Sequence, residues 1–88
     1  MTVTFYGSVQ EHTFGEKSVE LGQDLVYDGS ISAIIDLLGE RFGEEFREFL
    51  LGDKTCFFLV NGTMATGGLN TPLHPDDIIE VLPFVDGG

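Results

Sequence analysis

Polar and apolar residues alternate over Thr2-Val3-Thr4-Phe5-Tyr6, which predicts a half-buried strand. The alternation returns at Lys17-Ser18-Val19-Glu20-Leu21, beyond a mixed, turn-like segment over residues 7–15. This second run reads as the other arm of a hairpin. The stretch to Tyr27 is ambiguous, and Asp28-Gly29 ends it. The period then changes. Ile31, Ile34, Ile35, Leu38 and Phe42 fall on one helical stripe, with Ser30 as N-cap and Gly43 as the stop. A shorter helical stretch follows. Glu44 and Glu45 stand where the helix dipole favours acids, Phe46, Phe49 and Leu50 form its apolar face, and Gly52 closes it.

Cys56-Phe57-Phe58-Leu59-Val60 is continuously apolar and is expected to be an inner strand. Asn61-Gly62 signals a tight turn, and Thr63-Met64-Ala65 a short returning strand. Gly67-Gly68 breaks the pattern, and residues 70–77, with Pro72 and Pro75, form a turn-rich loop. Residues 78–82 are the last strand, with Pro83 as its stop. The order is strand, strand, helix, short helix, strand, short strand, strand. It predicts an α+β domain with a mixed sheet packed on one main helix plus a short second helix. That domain is expected over residues 1–83, with residues 84–88 as a flexible C-terminal tail ending Gly87-Gly88.

Eighty-eight residues, 42% hydrophobic and with eight Phe, suffice for one modest core. The net charge of −11 disfavours nucleic acid, whose phosphates would repel such a surface. The acidity fits either steering toward a basic partner or solubility in a saline environment. No long apolar run and no basic leader are present, so neither a membrane span nor a signal peptide is expected. The single cysteine, Cys56, lies in an apolar run; it reads as a buried structural thiol and fits a reducing cytoplasm. His12 and His74 lack ligand-spaced partners, Asp76-Asp77 has no calcium-loop spacing, and Gly67-Gly68 lacks the lysine of a phosphate loop. No metal, no bound cofactor and no nucleophile–base pair is expected.

The terminal diglycine has no side chains, so it can lie in a narrow groove and carry the last carboxylate to another protein's active centre. With the element order, three further segments define a resemblance. Leu59-Val60-Asn61-Gly62 resembles a strand-to-turn "VNG" segment. Gly68-Leu69-Asn70-Thr71-Pro72-Leu73 followed by Asp76-Asp77-Ile78 resembles a "TPL…GD-apolar" stretch. Leu82-Pro83-Phe84-Val85-Asp86-Gly87-Gly88 resembles an "FPPVxGG" tail. Together they resemble the MoaD/ThiS-type sulfur carriers of the ubiquitin-like β-grasp fold. The length favours the MoaD side, the small subunit of molybdopterin synthase, although Ile79-Glu80-Val81 also reads like ThiS. The chain departs from the pattern at Phe84, where a second proline is usual, and at Asp86, where a small neutral residue is common.

The resemblance implies a protein cosubstrate with no catalytic residues of its own. Gly88 would be adenylated by a ubiquitin-activating-type enzyme using ATP and Mg²⁺, then converted by a sulfur donor system to a thiocarboxylate. Gly87 would keep the approach thin, and Pro83 would limit flexibility where the tail leaves the sheet. Phe84 and Val85 are expected as anchors in the partner. Asp86 is a candidate for pairing with a partner cation, or a solvated acid. Alternation places Tyr6 and Leu82 on outward faces of the first and last strands, which neighbour each other in this fold. Met64 matches a further outward apolar position of the family. Tyr6, Met64, Leu82 and Phe84 are therefore the expected docking patch for a larger, MoaE-like synthase subunit. The acceptor implied is a molybdopterin or tungsten-cofactor precursor. Thiazole, a tRNA base, cysteine synthesis, or conjugation to lysines as a ubiquitin-like modifier are the alternatives, and a binding-only β-grasp domain is a third class.

Overall fold

Val3 and Phe5 point to one side of the first strand and are fully buried, while Thr2 and Thr4 point to the other. The same two-sidedness runs through the sheet and decides which face receives the helices. The computed structural model describes residues 1–21, 29–52, 55–65 and 67–84. The ambiguous stretch 22–28 and the tail positions Val85, Asp86, Gly87 and Gly88 lie outside the described residues.

Five strands, β1 (Thr2–Phe5), β2 (Ser18–Glu20), β3 (Cys56–Val60), β4 (Thr63–Met64) and β5 (Ile78–Pro83), form one mixed sheet in the order β2-β1-β5-β3-β4. β1 and β5 are parallel neighbours at its centre, and the other pairings are antiparallel. Two helices, α1 (Ile31–Phe42) and α2 (Glu44–Leu51), occupy the stretch between the hairpin and β3. This is the α+β architecture of ubiquitin-like β-grasp proteins.

The helix signals act as their chemistry requires. The Ser30 hydroxyl accepts from the Ala33 amide at 3.3 Å, capping α1. Ile31, Ile34, Ile35 and Leu38 are buried, and Phe42 packs half-buried at the end of the stripe. Phe46 and Leu50 of α2 complete the core with Val3, Phe5, Ile79 and Val81. Phe5, Phe42 and Phe46 meet edge to face with ring centroids 5.6–5.8 Å apart, the arrangement aromatic quadrupoles favour. Asn61 and Gly62 both adopt positive φ, as the two-residue β3–β4 turn demands.

Three local features differ from the sequence pattern. The segment after β1 opens with a 3-10 helix over Gly7–His12, stabilised by the Gln10 side chain donating to the Phe5 carbonyl at 2.9 Å. A second 3-10 turn covers Gly68–Asn70. β5 includes Pro83, and the Phe84 amide donates to the Thr55 carbonyl at 3.0 Å. Proline withholds one donor, but a strand tolerates it at its end, and the next amide restores the pairing. Among the described residues, no helix is long and apolar enough to cross a membrane.

Candidate functional site

Both helices cover the same face of the sheet. Pairing registers fix what stands on the other. Thr4 lies beside Glu80, Glu80 opposite Leu59, and Leu59 opposite Met64, giving one row across β1, β5, β3 and β4. Paired residues share a face, so this row points away from the helices. Leu82 and Phe57 face each other two residues along, in a second row on the same side. Tyr6 follows β1, and its amide donates to the Val81 carbonyl at 3.0 Å. Its phenol donates to Glu80 Oε2 at 2.7 Å, so the ring lies toward β5 on this outer face. That hydrogen bond to a carboxylate, then desolvation, then the carboxylate's charge raise the Tyr6 hydroxyl above its ordinary 10.0.

The result is a largely apolar surface with a carboxylate near its middle. Tyr6 is 39% exposed and Met64 53%, while Phe57, Leu59 and Leu82 are half-buried by their neighbours. The tail is rooted at one end of this surface. Pro83 stands opposite Cys56, and a Cβ placed on Gly7 would lie 3.1 Å from Pro83 Cγ, so the 3-10 helix presses against the end of β5. Phe84 has its backbone tied to Thr55 but its side chain 48% exposed.

Sequence reasoning named Tyr6, Met64, Leu82, Pro83 and Phe84. The structure places the first three on the outer face and the last two at the root of the tail. The Tyr6 hydroxyl reaches Glu80, the residue two positions before Leu82 on β5. Val85, Asp86, Gly87 and Gly88 lie outside the described residues. Phe57 and Leu59 were missed, because the apolar run of β3 was read only as interior. Its signal was available: a strand apolar at every position has two apolar faces, and helices on one side of the sheet cover one.

The remaining candidates have structural roles. Cys56 is half-buried, with Sγ 4.0 Å from the Leu50 carbonyl, and burial pushes its thiol up despite a hydrogen bond with Thr55. His12 stacks on Phe49 with centroids 4.5 Å apart. Asp77 is buried as a hydrogen-bond acceptor for Asn61 and the His74 amide. Among the described residues no three His, Cys, Asp or Glu converge as metal ligands. What this surface can do is bind: it offers apolar area, the Glu80 carboxylate near its middle, and a strand that continues directly into the tail.

The sequence profile of the ThiS family matches residues 3–88. Among curated proteins there is no match. The fold is similar to that in the crystal structure of Mycobacterium tuberculosis CysO, an antigen: 26% identity over 96% of this chain and 98% of that one, TM-score 0.75. It is similar also to a chain of the crystal structure of the Amycolatopsis orientalis BexX/CysO complex, with 28% identity, 99% and 98% coverage and TM-score 0.76. A putative molybdopterin converting factor, subunit 1, from Pyrococcus furiosus shares the fold at 21% identity, with 96% and 95% coverage and TM-score 0.69.

Proposed function

Since this chain belongs to the ThiS family of ubiquitin-like sulfur carriers, we propose that its reactive centre is the Gly88 carboxylate and that the outer sheet face seats the enzymes that act on it. A carboxylate is a poor electrophile. Its oxygen attacks the α-phosphorus of ATP on a ubiquitin-activating-type enzyme, whose Mg²⁺ assists as pyrophosphate leaves. Sulfide then attacks the acyl carbon, AMP departs, and the C-terminal thiocarboxylate remains. A persulfide donor reaches the same product after a thiol reduces the acyl disulfide. A larger, MoaE-like synthase subunit then positions that sulfur against its acceptor, so proximity and orientation supply the rate.

The observation that carries this reading is the continuity of β5. The strand that presents Glu80 and Leu82 on the outer face runs through Pro83 toward the diglycine. Gly88 lies five positions beyond Pro83, a reach of about 17 Å when extended. A partner seated on the face therefore has the carboxylate within range of its own active centre. Gly87 keeps the approach thin, Phe84 and Val85 anchor it, and Asp86 meets a partner cation. The setting is the cytoplasm.

The acceptor is a pterin precursor of molybdenum or tungsten cofactor, supported by the length and the Pro-bearing tail. A second reading, a carrier for another acceptor, is favoured by the two matches above 25% identity, both involving CysO. The test is an intact mass after incubation with ATP, the organism's own activating enzyme and sulfide. Gain of the mass difference between sulfur and oxygen, absent from a chain lacking Gly88, supports the carrier. Lysine conjugates without that gain replace it with a protein modifier. Sulfur transfer from the loaded chain to a pterin precursor, compared with other acceptors, then separates the two readings.

A further inference from the structure

Glu80 is the charged residue within an otherwise apolar and hydroxyl-bearing row, between Thr4 on β1 and Leu59 on β3. It is half-buried already. One oxygen, Oε2, accepts from the Tyr6 hydroxyl, and among the described residues no side chain donates to Oε1. Among the described residues both ion pairs are made by Arg47, with Asp36 and Glu44 on the helices, so no described cation neutralises Glu80. A protein that covers this face removes water from Oε1. Leaving a carboxylate buried with one neutral hydrogen bond is strongly unfavourable, whereas a charge-assisted bond from the covering surface removes the penalty.

Resting on the carrier reading above, we propose that Glu80 and Tyr6 form a partner-selecting element: this face accepts an apolar protein surface that carries an arginine at its centre and rejects one that is wholly apolar. An arginine suits the site better than a lysine. Its planar guanidinium donates to Oε1 while lying over the exposed Tyr6 ring, whose own hydroxyl stays on Oε2. A second copy of this chain is the wrong occupant. A two-fold contact through the face would bring two Glu80 carboxylates together between chains that each carry −11.

The experiment titrates the full chain into the activating enzyme that loads it, comparing wild type with Glu80→Gln, Glu80→Met and Glu80→Arg. Thermal melts confirm that each variant is folded. The expected result is weaker binding by about tenfold or more for Glu80→Gln and Glu80→Met, and a larger loss for Glu80→Arg. The salt dependence should flatten in the two neutral variants, and arginine-to-glutamate exchange in the enzyme should restore Glu80→Arg. Tighter binding of Glu80→Met overturns the proposal, because an apolar covering surface prefers an apolar residue. Unchanged affinity of Glu80→Gln, or wild-type self-association through this face, overturns it too. In each of these cases wild type still gains the sulfur mass, so the carrier reading survives. Absence of that gain in wild type sinks the carrier reading and this inference with it.

Discussion

Asn61 and Asp77 hold each other across 16 positions of sequence: the Asn61 amide donates to Asp77 Oδ1 at 2.8 Å. The same side chain turns its oxygen to the Ile78 amide at 2.9 Å, and Asp77 Oδ2 accepts from the His74 amide at 2.8 Å. The "VNG" turn and the acidic residue before β5, two of the segments that carry the family resemblance, are thus one hydrogen-bonded unit. They fix where β5 begins and with it the register of Glu80 and Leu82.

Asp77→Ala should destabilise the domain by about 2 kcal/mol or more, because two bonds to a buried charged group are lost. Burial by itself would raise the Asp77 carboxyl. The His74 amide, the Asn61 side chain and the His74 charge together outweigh it and hold the group below 3.8. A depressed carboxyl stabilises the fold fully above the unfolded value and loses that contribution as pH falls through the folded one. Thermal midpoints of wild type should therefore drop as pH falls below about 3.8, and those of Asp77→Asn should drop less over the same range. Parallel pH profiles for the two proteins would remove this role.

Gly39→Ala should also destabilise, although alanine is the better helix former. A Cβ there would lie 2.8 Å from Arg47 Cβ and 3.0 Å from its Cδ, where α1 crosses α2. The Arg47 stem begins at the backbone and cannot swing clear, so the helices must separate. Overpacking of this kind costs about 1–3 kcal/mol, against a propensity gain of about 1 kcal/mol. Urea denaturation measures the difference; a more stable Gly39→Ala would show that the helices move apart freely.

Ser30→Ala should cost about 1 kcal/mol and Ser30→Gly only a few tenths, the signature of a lost N-cap rather than lost packing. Amide exchange at Ala33 should accelerate in the alanine variant. Equal losses for both substitutions would assign the effect to something other than the cap.

Elements governed by local chemistry were legible in the chain. The Ile31-to-Phe42 stripe, its Ser30 cap and the Asn61-Gly62 turn follow from propensities that act within a few residues. The 3-10 helix over Gly7–His12 was not, because it is shaped by the long-range fit of Gly7 against Pro83 and the short-range bond from Gln10 to Phe5. Likewise, Tyr6 and Leu82 were each placed outward by alternation, but the hydrogen bond from Tyr6 to Glu80 depends on β1 and β5 being parallel neighbours across 74 positions. Phe57 and Leu59 show a different limit: hydrophobicity marks a residue as apolar without saying which side of the sheet is covered.

Adjacent phenylalanines on β3 offer the sharpest separation of folding from docking. Phe58 points to the helices and packs against the core, whereas Phe57 stands opposite Leu82 on the outer face. Phe58→Ala should remove about 2–3 kcal/mol of stability, somewhat less than a fully buried phenylalanine because it is half-buried. Phe57→Ala loses mainly a cross-strand pair, worth about 0.2–1 kcal/mol. Its affinity for the activating enzyme should instead fall by about tenfold, since aromatic anchors dominate binding surfaces. Denaturation and binding measured on the same two proteins test this directly. If Phe57→Ala binds like wild type, the apolar rows of the outer sheet face are not where the partner sits.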